Sequence, residues 1–224
     1  MQADLAAIAG ARDVESLDAA GVLGLMVEHF HPDLALACSF QKEEAVLLDM
    51  LLALEPAARV FALDTHVLFP ETYDVWRAIE KHYGIAVEVY EGPSLGRQAA
   101  THGEALWASN PSLCCAIRKV QPLDKALAGL RGWITGVRRD QSPTRAATPK
   151  LGWDERHELW KASPLADWSD DDVWAYVHDR ALPYNALHDR GYASIGCTHC
   201  TLPGSGREGR WSGSGKTECG LHVR

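Results

Sequence analysis

Cysteines dominate the residues that could do chemistry in this 224-residue chain. Cys114 and Cys115 form a tandem pair, and Cys197 and Cys200 form a C-x-x-C pair far downstream. Cys219 stands apart near the C-terminus, with Lys216 and His222 close by and Arg207 and Arg210 upstream. Two cysteine pairs in a chain whose N-terminus, MQADLAAIAGARD, lacks a basic flank and apolar core point to a cytoplasmic protein with metal or redox chemistry.

The two pairs could share one metal centre. Two bonds of ~2.3 Å in a tetrahedron bring neighbouring sulfurs to ~3.8 Å, which tandem cysteines meet awkwardly on one ion. A cubane cluster offers four irons and one thiolate to each. The spacing therefore favours a [4Fe–4S] cluster, with zinc and no metal as the alternatives. Cys38, at the end of the apolar run Leu34–Cys38, reads as a buried small hydrophobe.

Cys219 reads either as a nucleophile or as a free thiol on a loose tail. Positive neighbours enrich the thiolate, the reactive form, and favour the first reading. The glycine-rich stretch 191–222 has few apolar residues of its own, so a metal, an anion or the protein body must hold it. Gly213–Thr217 imitates the end of a phosphate-binding loop. The pattern needs glycine at position 210, where Arg210 stands, and no strand precedes it.

Formal net charge is −8, which argues against nucleic-acid or anionic-membrane partners. Basic residues nevertheless cluster. Arg131, Arg138, Arg139, Arg145 and Lys150 face Asp140 alone within 131–150, and a second basic segment covers 190–224. An acidic protein with two local basic segments fits a confined anionic ligand. No apolar run is long enough for a transmembrane helix.

The elements that must position these groups alternate. Residues 14–30 have helical spacing. Leu34–Cys38, Arg59–Leu63 and Ala86–Tyr90 read as strands, separated by helices over Glu43–Leu54 and from Pro70 to the stop at Gly84. A helix is expected over about Leu113–Leu130, a strand over Trp133–Gly136, and a well-capped helix after Ser169. This order predicts an α/β fold: a parallel twisted sheet flanked by helices, with ligands at the carboxyl ends of the strands. Ser39 and Asp64–Thr65 fall on that rim. The expected division is an N-terminal helical segment (1–33), an α/β nucleotide-binding domain (34–190) and a mobile cluster-ligating and catalytic C-terminal segment (191–224).

The motifs together carry a family resemblance. They are the Ser39 loop, Leu63-Asp64-Thr65 with Pro70–Tyr73, Cys114–Leu123, Trp133–Pro143, Tyr192–Cys197, Arg207–Trp211 and Glu218–His222. Over about residues 35–222 the chain resembles the assimilatory sulfonucleotide reductases, relatives of the PP-loop ATP pyrophosphatases. The cysteine pairs resemble the cluster-bearing branch, which uses adenosine 5′-phosphosulfate; the branch without them generally uses the 3′-phosphorylated nucleotide.

The resemblance implies that Cys114, Cys115, Cys197 and Cys200 ligate one [4Fe–4S] cluster, with Lys119 close to cluster and substrate. It implies a nucleotide pocket built from Ser39, Leu63, Asp64 and Thr65. Arg139, Arg145, Arg207, Arg210 and His222 would contact phosphate and sulfate. Cys219 would attack the sulfate sulfur, releasing AMP, and thioredoxin or glutaredoxin would free sulfite. A homo-oligomer is an allowed state. The Ser39 loop reads SFQKEE rather than S-G-G-x-D-S, which fits a protein that does not cleave ATP and tells against a PP-loop tRNA-thiolating enzyme. A non-catalytic zinc module is the other rival, and it would leave Cys219 and its arginines idle.

Overall fold

A computed structural model describes Ile8 and residues 13–222. Of the expected N-terminal segment 1–33, residues 1–7 and 9–12 lie outside the described residues. The remainder is a short 3₁₀ turn, Val14–Ser16, and helix α1, Ala19–Phe30, capped by Asp18 through its bond from the Gly21 N–H (2.7 Å).

Among the described residues six strands form one sheet in the order β3-β2-β1-β4-β6-β5. These are β1 (Leu34–Cys38), β2 (Arg59–Asp64), β3 (Glu88–Glu91), β4 (Gly132–Ile134), β5 (Leu151–Asp154) and β6 (Leu159–Ala162). All pairings are parallel except β5 with β6. Strand β1 lies between β2 and β4, so the chain turns in opposite directions on either side of it. This switch point opens a crevice at the strands' carboxyl ends.

Side chains alternate across the sheet as the period of two requires. Leu34, Leu36 and Cys38 of β1 enter the larger core, with α1 and helix α2 (Lys42–Leu54). Ala35 enters the second core, with Phe61, Trp133 and Leu159 from the neighbouring strands. Helix α3 (Pro70–Tyr83) starts on Pro70 and stops on Gly84 in the left-handed region (φ 66°), as the sequence predicts.

Three regions differ from the sequence reading. Two short helices, α4 (Leu95–His102) and α5 (Leu106–Ser109), fill a stretch in which no element was expected. The antiparallel β5–β6 pair was likewise not expected, because four-residue strands give little alternation to detect. The expected helix over Leu113–Leu130 is divided into α6 (Pro111–Cys115), a π-helical turn (Ala116–Val120) and α7 (Gln121–Leu127). Pro122 has no N–H to donate one turn back, and the Gln121 N–H reaches Ala116 O instead, five residues away. Helix α8 (Asp170–Asp179) carries its expected cap: the Asp172 N–H donates to Ser169 Oγ (3.1 Å), and the Ser169 N–H to Asp172 Oδ2 (2.8 Å).

The stretch beyond Arg190 has little regular structure, yet it packs on the body. One bridge, Leu68 to Cys197, ties it to the body, and two more, Tyr192 to Gly204 and Thr201 to Arg210, fold it on itself. Trp211 and Cys219 are buried within it.

Candidate active site

A cavity of about 430 Å³ occupies the crevice at the ends of β1, β2 and β4 and is roofed by the tail. Ser39, Leu63, Lys119, Arg145, Arg207, Arg210, Cys219 and His222 all line it. Ser39 and Cys219, at opposite ends of the chain, thus line one chamber.

Three expected contacts fall elsewhere. Asp64 turns away from the cavity and accepts bonds from the Tyr73 hydroxyl and the His66 N–H, both at 2.7 Å. Thr65 is fully buried, with Oγ1 3.3 Å from Cys197 Sγ. Arg139 points outward, donating to Glu15 Oε2 (2.5 Å) and Thr148 O (2.8 Å). Its neighbour Arg138, the extended residue that leads into the 3₁₀ turn Arg139–Gln141, lines the cavity instead. Arg138 is already engaged by Glu43, Asp140 and Asp170.

The floor at the start of α2 is acidic. The Ser39 hydroxyl donates to Glu44 Oε2 (2.7 Å), and the Gln41 N–H reaches the same oxygen (3.3 Å). Burial first, and then the charge of Glu43, push the Glu44 carboxyl up to about 8. Gly136 makes this packing possible: a Cβ there would lie 2.5 Å from Glu44 Oε1 and 2.8 Å from Glu43 Cβ. Phe40, a bulky residue at φ 59°, holds the loop's sharp turn by stacking on Trp76 at 4.7 Å.

The roof is cationic. Arg145 donates through Nε and Nη2 to the two oxygens of Glu218 (2.9 and 2.8 Å), and Arg207 Nη2 donates to Glu218 Oε2 (3.0 Å). Burial, then the charges of Arg145 and Arg210, push the Arg207 guanidinium down to about 10. Among the described residues the buried Arg207 Nε, Arg210 Nε and Trp133 Nε1 have no hydrogen-bond partner. Several donors with one carboxylate between them are the electrostatic signature of a site built for an oxoanion.

The four paired cysteines also converge. Cys114, Cys115, Cys197 and Cys200 line a second, small cavity behind the first, and Lys119 and Arg210 line both. Burial first, then the neighbouring Cys115, Cys197 and Cys200, push the Cys114 thiol up to about 11. Thiols crowded to that degree need a cationic centre to become thiolates. Among the described residues no three His, Cys, Asp or Glu side chains are arranged to hold a metal ion. Four cysteine sulfurs around a shared cavity are the donor set that a multi-iron group, with one thiolate to each iron, would need. Cys219 packs with Cys115 and Trp211, so the two chambers meet at the lone thiol.

Comparison with known proteins gives the family. The phosphoadenosine phosphosulfate reductase domain matches residues 33–203. The chain belongs to that family. A relative from Lysinibacillus sphaericus, named adenosine 5′-phosphosulfate reductase, is 47% identical over 90% of this chain and 89% of its own. The phosphoadenylyl-sulfate reductase of Candida auris, solved as a phosphate complex, superposes with a TM-score of 0.75 at 33% identity, covering 84% of this chain and 91% of that one. Yeast FAD synthetase in complex with FAD, at 14% identity and TM-score 0.60 over 83% of this chain and 66% of its own, shares the fold alone.

Sequence reasoning passed over several lining or supporting residues. Arg138 was masked by its neighbour Arg139, and Trp133 opened a quoted motif without a role of its own. Glu218 sat within a quoted motif without a role. Lys161 gave no signal at all, since a single lysine on a short strand has no pattern around it.

Proposed function

We propose that the chain is an adenylyl-sulfate reductase that reduces adenosine 5′-phosphosulfate to sulfite and AMP in sulfate assimilation. The single observation that carries this reading is a lone buried cysteine, Cys219, lining one chamber with Lys119, Arg145, Arg207, Arg210 and His222. Relatives named adenosine 5′-phosphosulfate reductase support the choice of nucleotide.

The chemistry follows from the charges. The substrate is a phosphate–sulfate anhydride, and a thiolate cannot approach its sulfur unless cations screen the oxygens. Arg145 and Arg207 supply planar donors suited to such oxoanions, and Lys119 adds a point charge. The Cys219 thiolate attacks sulfur, an S–S bond forms, and the bridging S–O bond breaks. AMP departs with that electron pair and leaves S-sulfocysteine on the enzyme. A thiolate of thioredoxin then attacks Cys219 Sγ, sulfite leaves, and a second thioredoxin thiol resolves the mixed disulfide. Both electrons come from the reductant.

The donor set of Cys114, Cys115, Cys197 and Cys200 supports one [4Fe–4S] cluster. Bound there, it would tie the tail's Cys197–Cys200 turn to α6 and add its electrostatic field to the adjoining chamber. The chain then divides by task into an N-terminal helical segment (1–33), a nucleotide-binding domain (34–190) and a cluster-ligating, catalytic segment (191–224), which has to open for thioredoxin. Sulfite release from adenosine 5′-phosphosulfate and from its 3′-phosphorylated analogue, measured side by side with thioredoxin, tests the reading. The unphosphorylated nucleotide is expected to turn over; preference for the analogue would overturn it.

A further inference from the structure

We propose that Lys161 is a positioning residue that fixes His222 in its Nε2–H tautomer, making the ring a hydrogen-bond donor to the pocket's ligand. This rests on the reading of the pocket as an AMP-bearing site. Lys161 lies on β6 directly across from Trp133 on β4. Its Nζ is 3.2 Å from His222 Nδ1 and 4.8 Å from the centre of the Trp133 ring. The His222 ring in turn stacks on Trp133, with centroids 5.8 Å apart and planes 16° apart. Lysine, tryptophan and histidine therefore form one packed unit at the end of the sheet.

The tautomer follows from donor and acceptor chemistry. An ammonium group has three donors and no acceptor, so the Nδ1 facing it must be the bare nitrogen. The single proton of a neutral imidazole then sits on Nε2. A protonated ring would set an N–H against the ammonium. Among the described residues, the cations that act on the ring oppose that state: Lys161 from β6, and Arg145 and Arg207 from the roof, the last two shared with Glu218. Burial first, and then these three cations, hold His222 well below the usual histidine range. His222 lines the cavity, and with Nδ1 engaged its Nε2–H is the ring's remaining polar group. Lys161 adds no contact to the ligand in this role. It decides which kind of contact His222 can make: a neutral donor suited to a phosphate or ribose oxygen.

The test uses the full chain labelled with ¹⁵N-histidine, with side-chain proton–nitrogen correlations recorded for wild type, K161M and K161R, and His222 assigned by difference from H222A. AMP affinity is measured calorimetrically on the same proteins between about pH 6 and pH 8.5, a window that brackets the ordinary histidine pKa. Wild type and K161R are expected to show His222 protonated at Nε2 only, across the range. K161M should show exchange between tautomers or titration of the ring, and about fivefold weaker AMP binding, the worth of one hydrogen bond. A wild-type spectrum with the proton on Nδ1 overturns the proposal even if K161M fails to fold, and so does an unchanged Nε2–H ring in K161M. If the tautomer depends on Lys161 but AMP binds none of the proteins, the positioning stands and the reading of the pocket is what fails.

Discussion

Glu218 and Arg145 form a two-point ion pair, Nε to Oε1 at 2.9 Å and Nη2 to Oε2 at 2.8 Å, immediately before the lone thiol of Cys219. The same carboxylate takes a third bond from Arg207. The tail is therefore anchored by the very arginines that the anion needs, and the anchor sits one peptide bond from the nucleophile. Burial would raise the Glu218 carboxyl, but its bond and charge from Arg145, and then the charge of Arg207, hold it below 4.5.

Replacing Glu218 by Gln should therefore loosen Cys219 more than it weakens nucleotide binding. The expected outcome is a fall in kcat of about tenfold or more, the worth of ~1.5–3 kcal/mol in charged hydrogen bonds, with AMP affinity unchanged or tighter. Steady-state kinetics and AMP titration check this. Equal losses in both would make Glu218 part of the ligand site. The anchor's contribution to stability is present above the unfolded carboxyl's pKa and is lost as pH falls through the lower folded value, so wild type should lose an acid-side increment of stability that E218Q lacks.

The two basic motif residues should separate cleanly. R145A removes the Glu218 clamp and a cavity-lining guanidinium, and AMP binding should weaken roughly 10- to 100-fold. R139A removes a contact to Glu15 and Thr148 outside the cavity, so it should leave binding within about twofold and cost a little stability, as surface substitutions do. Calorimetric titration with AMP distinguishes them; an R139A loss matching that of R145A would contradict the cavity's outline.

Glu44 gives the fold a pH dependence of opposite sign. Its folded pKa is raised from 4.5 to about 8, so the folded state binds more protons than the unfolded chain between those values. Stability contributed by this group should fall as pH rises from about 4.5 to about 8 and level off beyond. E44Q should flatten that slope in denaturant unfolding curves. A slope that persists in E44Q would assign it to another group.

How much of this was legible in the sequence depends on how local each signal is. The parallel strands Leu34–Cys38 and Arg59–Asp64 and the cap at Ser169 are written in contiguous residues, and they stand where expected. Cys219, Arg145, Arg207, Arg210 and His222, named at separate places along the chain, line one cavity. Asp64, Thr65 and Arg139 do not line the cavity, because a motif names neighbours without saying which way each side chain turns. The partners of Thr65 and Arg139, Cys197 and Glu15, come from distant segments. Lys161 and Glu218 act only through tertiary contacts, which no spacing announces.

The tail offers a dynamic prediction. From Gly204 onward its backbone bonds are isolated turns and bridges rather than a ladder, and side chains tie it to the arginine cluster. Ordering backbone costs ~1–2 kcal/mol per residue, so a bound anion that engages Arg207, Arg210 and His222 should raise hydrogen-exchange protection over residues 204–222. Equal protection with and without AMP would mean that the roof is prebuilt and does not gate thioredoxin.

The most direct measurement mixes reductant-free enzyme with one equivalent of adenosine 5′-phosphosulfate and follows intact and peptide mass. The account predicts one sulfo group on Cys219, released as sulfite by thioredoxin, and none on C219S, which should keep its iron and its affinity for AMP. Sulfite formed without any modified enzyme, a sulfo group on another cysteine, or loss of iron from C219S would contradict it.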